Sequence, residues 1–283
     1  MSRADIPLPQ PRGMAQTQRT DTWWLQPLAV FSGFMAFIVY STWAALQGEH
    51  FFLSAGGANY LSPFYSPQLF NVPGQPPTGH AWFGDPPSWL LSLWPSFIPF
   101  SPALLILWAP GGFRFTCYYY RGAYYKAFWA DPPSCAVGEP GFRGKKYRGE
   151  AKFPLIIQNI HRYFLYLAIA FIFVLSYDAI IAYKFAAADG GWTFGIGIGS
   201  LILTINPILL GGYTLGCHSL RHLIGGRKDC LGAGGAQRTA YDCVSCLNRK
   251  HMVWAWLSLF WVGFTDFYVR MCSMGYFTDV RLL

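Results

Sequence analysis

Seven cysteines and six histidines give this sequence the means to hold a soft metal, and they are unevenly spaced. His218 and His222 stand four apart in GCHSLRHLIGG, which puts both rings on one face of a helix, within reach of one ion. Cys217 precedes them directly, and Cys243 and Cys246 form a CxxC in CVSC. Cys117 lies in FTCYYYRGAYYKAFW, Cys135 in DPPSCAV and His161 in QNIHRYFLY. Three chemistries suit such donors. Two imidazoles from different helices could bind a haem b axially, and two Cys with two His could hold a Rieske-type 2Fe–2S cluster. CVSC with further Cys or His could hold a structural zinc. The competing reading is of hydrogen-bonding imidazoles and thiols that act as small apolar fillers.

A second group is aromatic and basic. Tyr118, Tyr119, Tyr120, Arg121, Tyr124, Tyr125, Lys126 and Trp129 crowd into twelve positions. Flat rings beside a cation and phenol hydroxyls suit a quinone head group, although an aromatic belt at a membrane interface has the same composition. A third group is ionisable within apolar stretches: Asp178, and Asp266 with Arg270 four residues on. Such residues are costly in a membrane and are functional candidates by default. Here the i,i+4 spacing favours an ion pair on one helix face over a proton route.

The elements that must position these groups follow from composition. The chain has 283 residues; 53% are apolar, 19% aromatic and only 12% charged, about half of the roughly 25% usual in soluble domains. That balance excludes disorder, coiled coil and an ordinary soluble fold. Five stretches approach or exceed the about 20 residues needed to cross a hydrocarbon core: about 26–46, 88–109, 154–183, 192–216 and 252–272. The expectation is an all-α integral membrane protein, a bundle of five transmembrane helices over 26–272. The second span carries Pro95, Pro99 and Pro102 and is expected to kink. The segment 1–25 is polar and Pro-rich, unlike a signal peptide.

Orientation follows from the cations. Counted over alternate loops, 18 Lys and Arg fall on the side of the N-terminus and three on the other. The N-terminus is therefore expected in the cytoplasm, with 273–283 a periplasmic tail. The loop 47–87 holds no Lys or Arg and is expected to lie on the outer side as a cap. Six of the thiols and four of the imidazoles then share the cytoplasmic side, where disulfides are rare. A zinc-binding scaffold or a transporter is the alternative; transporters usually show repeated halves, and none is visible here.

The five-span layout and the strings CYYYRGAYYKAFW, DPPSCAV, FPLIIQNIHRYFLY, GCHSLRHLIGG and LNRKHMVWAWLSLFWVGFTDFYVR resemble the membrane-anchor (cytochrome b or C-type) subunit of actinobacterial, mycobacterial-type succinate dehydrogenases, over about 20–280. The resemblance implies a multi-pass subunit of the cell membrane, partnered by a flavoprotein that oxidises succinate and by an iron–sulfur subunit. It implies delivery of electrons to menaquinone through an embedded Rieske-type 2Fe–2S cluster, with haem b as the alternative. Carried onto this chain, Cys117 and Cys135 would hold one iron and His218 and His222 the other. His161 is the first substitute and Cys217 the second. The soluble Rieske pattern, C-x-H followed by C-x-x-H, is absent. Tyr118, Arg121, Tyr125 and Arg162 are the expected polar contacts to the quinone, where a fixed cation would stabilise developing negative charge. The basic segments 110–153 and 217–251 would dock the iron–sulfur subunit.

Overall fold

The computed structural model describes residues 17, 19–120, 127–128, 130, 155–187, 189–226, 228, 230–232 and 234–283. The chain divides into two compact units, Met1–Ala36 with Arg114–Ile160, and Phe37–Phe113 with His161–Leu283.

Among the described residues, four helices are long and apolar enough to cross a membrane: α1 (Leu25–Gln47), α5 (His161–Ile181), α6 (Ile198–Leu215) and α9 (His251–Ser273). Between α1 and α5 the described residues include the shorter helices α2 (Ser88–Leu93), α3 (Pro102–Ile106) and α4 (Trp108–Phe115). The stretch 88–109, expected as one kinked span, is thus not one helix. Pro95, Pro99 and Pro102 each lack the N–H that a helix ladder needs, so residues 94–101 are not helical. Helical structure resumes with Pro102 in the first turn, where the missing N–H costs nothing.

In the larger unit α6 packs along both α5 and α9. The approach of α6 to α9 is close because Gly212 has no side chain: a Cβ there would sit 2.6 Å from the Trp254 ring. The Trp261 Nε1 donates to the Ile202 carbonyl (3.0 Å) across the same interface. Pro207 sits within α6 without ending it.

The loop 47–87, expected as a cap, begins one residue later, after Gln47 closes α1, and folds over one end of these helices. Two short strands, β1 (Phe52–Leu53) and β2 (Tyr60–Leu61), pair antiparallel, and the run Tyr60–Gln68 is buried throughout. The C-terminal carbonyls of α1 have no helical partners and are taken by this cap end. Tyr65 Oη donates to the Ala44 and Ala45 carbonyls (3.0 and 3.1 Å), and Arg270 Nη2 to that of Ala44 (3.3 Å). Gly48 adopts φ +66°, the left-handed geometry that turns the chain out of α1.

Asp266 and Arg270 form the ion pair expected from their spacing (3.3 Å), and both are fully buried. Asp266 also accepts from Tyr40 Oη (2.6 Å) and from the Ser62 hydroxyl. Arg270 Nη1 donates to Gln47 Oε1 (2.7 Å) and to the Glu49 carbonyl (2.8 Å). The pair therefore ties α1, α9 and the cap together. Asp178 accepts from the buried Ser66 hydroxyl and lies 3.8 Å from His80 Nδ1.

In the smaller unit, Tyr120 packs edge-on against Phe34 (5.2 Å), and Phe31 against Phe128 (5.1 Å). The Arg114 guanidinium donates to the buried Tyr120 Oη (2.9 Å).

Candidate functional site

At the end of the larger unit away from the cap, the start of α5, the end of α6 and the start of α9 come together. The geometry is set by the turn after α6. Gly216 and Cys217 link it to α7 (His218–Gly225), and a Cβ on Gly216 would lie 2.7 Å from the Gly212 carbonyl oxygen. The turn is held by Asn248 Nδ2, at the end of α8 (Ala236–Asn248), donating to the Gly216 carbonyl (2.7 Å). This carries the buried Cys217 inward. Its Sγ lies 3.1 Å from His161 Nε2 and accepts from the Ser219 N–H (3.4 Å).

Around this pair the rings stack. Phe113 lies face to face with the buried His161 (4.5 Å) and edge-on to Tyr213 (5.3 Å); Tyr213 in turn stacks on His251 (5.0 Å). Two polar atoms nearby are buried and lack a hydrogen-bond partner among the described residues: the Thr214 hydroxyl, one residue after Tyr213, and the Trp254 indole N–H, one turn after His251. An unpaired buried donor costs about 1–3 kcal/mol.

The residues singled out in the sequence fall as follows. His161 and Cys217, the two substitutes, are brought together. His218 and His222 share α7 but are exposed. Cys117 is buried in the smaller unit and Tyr118 is exposed there; Arg162 is exposed at the start of α5. Cys135, Arg121 and Tyr125 lie outside the described residues. Cys230, Cys243 and Cys246 are free thiols and exposed. Sequence reasoning missed Phe113, Tyr213, Thr214 and Trp254 as members of a site. Tyr213 carried a faint signal, a lone phenol among the small residues of GGYT.

A buried thiol beside an imidazole has the donor chemistry of a soft-metal or Rieske-type centre, which would need two further ligands. Among the described residues no group of three or more His, Cys, Asp or Glu is placed to hold a metal. In the smaller unit, burial pushes the Tyr120 phenol up to about 12, against the opposing pull of the Arg114 guanidinium. Tyr120 is therefore a neutral hydroxyl at any physiological pH.

Comparison with known proteins gives a consistent result. The family model of the actinobacterial succinate dehydrogenase subunit SdhC matches residues 25–275. A chain in the solved structure of the Mycobacterium smegmatis Sdh1 complex in the apo form is 42% identical, with a TM-score of 0.78 and 94% of each chain covered. A search of curated proteins finds no match.

Proposed function

The chain belongs to the actinobacterial succinate dehydrogenase SdhC family, and from that premise we propose that it reduces a quinone at the end of the bundle away from the cap. It is the membrane anchor of the enzyme complex, mostly helical and multi-pass. The observation that carries the proposal is the pair of buried, unpartnered polar groups, Thr214 Oγ1 and Trp254 Nε1, beside the Phe113–His161–Tyr213–His251 stack. A quinone brings two carbonyl acceptors and a flat ring, the complement of those donors and faces.

The orientation supports the same end. The 18-to-three excess of cations puts it in the cytoplasm together with the N-terminus. The chain also supports a fifth crossing, shifted from where the sequence put it. Ser101 lies by Tyr65 at the cap (3.5 Å), whereas Phe113 stacks on His161 at the opposite end. Residues 101–115, α3 and α4, therefore return the chain from one side to the other as a short, broken span.

In this reading the flavoprotein oxidises succinate and the iron–sulfur subunit passes two electrons, one at a time, to menaquinone. Two protons enter from the cytoplasm to give the quinol. Thr214 and Trp254 offer hydrogen bonds to the carbonyl oxygens. His161 and His251 exchange protons, and Arg162, at the start of α5, is retained as a head-group contact. A Rieske-type 2Fe–2S cluster would draw on His161 and Cys217, and would supply one-electron transfer between the docked subunit and the quinone.

The test uses the whole complex. Trp254→Phe and Thr214→Val should each raise the KM for menaquinone analogues about three- to tenfold, the worth of one hydrogen bond of about 0.5–1.5 kcal/mol. Succinate oxidation with a soluble dye that takes electrons upstream should be unchanged. Unaltered quinone kinetics in both variants would remove this end of the bundle as the quinone site.

A further inference from the structure

The chain between the cap and α3 exposes a run of large apolar side chains. Trp89, Leu93 and Phe97 are 61%, 76% and 84% exposed, and Trp82 and Phe83 join them. From Thr20 to Phe113 there is no Lys or Arg, and within residues 82–100 Asp85 is the sole charge. Both of its ends are fixed to the cap. Trp82 N and Phe83 N donate to the Gln68 and Leu69 carbonyls (2.9 and 3.0 Å), and Gly84 O accepts from Asn71 N (2.8 Å). At the other end Ser101 meets Tyr65. The segment therefore starts and finishes at one level of the bundle, beside the outer turns of α1, which expose Val39 and Trp43.

Its backbone sets the depth. Residues 94–101 are not helical, and irregular backbone facing lipid does not occur in the hydrocarbon core, where unmet N–H and C=O groups have no partner. Pro95 and Pro99 reduce the number of donors, and Trp94 Nε1 covers the Ile98 carbonyl (2.9 Å). The remaining groups need water or lipid esters, while Trp89, Leu93 and Phe97 need acyl chains. Only the headgroup boundary offers both, and it is where Trp concentrates.

We propose that residues 82–100 are an interfacial anchor that lies flat in the headgroup boundary on the cap side of the bilayer, with its aromatic face against lipid, and that they do not cross. The occupant of this surface is phospholipid. The inference rests on the anchor reading above but not on which side is cytoplasmic.

The intact complex is reconstituted in nanodiscs of phosphatidylcholine brominated either near the glycerol or near the chain ends. The quenching due to Trp89 and to Trp94 is obtained by subtracting the signals of Trp89→Phe and Trp94→Phe. A flat anchor gives both residues the same depth, with the shallow bromines quenching more. A crossing helix would instead place Trp94 about 7.5 Å deeper than Trp89, at roughly 1.5 Å per residue, and would overturn the proposal. Absence of quenching by either lipid would overturn it too, since a second copy or another subunit would then cover the face. Labelling from one side with an impermeant reagent at Ser88→Cys reads orientation separately, so an inverted bundle would be told apart from a failed anchor.

Discussion

Removing the Arg270 guanidinium tests how the cap is held. Arg270→Met deletes two contacts to Asp266 and the donors to Gln47, Glu49 and Ala44. It leaves the Asp266 carboxylate buried without its cation. Breaking a buried pair in this way costs about 3–5 kcal/mol. The lower end applies here, because Tyr40 and Ser62 still donate to the carboxylate. At about 1.4 kcal/mol per tenfold, about 3 kcal/mol raises the population of the open cap roughly a hundredfold. Hydrogen exchange in nanodiscs reads this directly at the Ser62 amide, which donates to the Phe51 carbonyl (2.8 Å). Asp266→Leu combined with Arg270→Met removes both charges. It leaves the hydroxyls of Tyr40 and Ser62 without an acceptor, at about 1–3 kcal/mol each when buried, so its cost should fall well short of the two single variants added together. Exchange at Ser62 unchanged in Arg270→Met, or a double variant as labile as the two single variants added together, would refute the account of the pair as a clasp.

Gly212→Val should misassemble the anchor, because a side chain there collides with Trp254; the yield of intact complex on a sizing column checks it, and Gly211→Ala, with open space around its Cβ, should be neutral. Iron analysis tests the metal reading: His161→Ala and Cys217→Ala should each lower the iron of the complex to that of the iron–sulfur subunit alone, and full iron in both would discard the pair as ligands. Tyr120 supplies a pH dependence. Its folded value of about 12 lies above the ordinary 10.0, so stability that is complete below pH 10 is lost as pH rises from 10 to about 12. Tyr120→Phe should flatten the alkaline limb of the thermal-stability profile, and an unchanged limb would mean the phenol does not titrate there. A protease site placed in the N-terminal segment should be cut in inverted vesicles and spared in right-side-out vesicles, if the cations set the orientation.

Much was legible in the residues alone. Hydropathy located the four long helices within a few residues at most ends, because a bilayer demands uninterrupted apolar length whatever the neighbours do. The i,i+4 spacing of Asp266 and Arg270 fixed their pairing, since helix geometry places those positions side by side. The long strings around Cys117, His161 and His218 carried the family. Tertiary structure alone decided what these elements enclose. Nothing local distinguishes His161, buried against Cys217, from His222, exposed on α7; that depends on which helix ends meet, a contact 56 residues apart in sequence. The prolines of 88–109 were read as a kink, yet the cap, holding Ser101 through Tyr65, offered residues 94–101 a place outside the helix, and the stretch is not one helix. Periodicity reports what one element can bury, and only packing selects which of its faces does so.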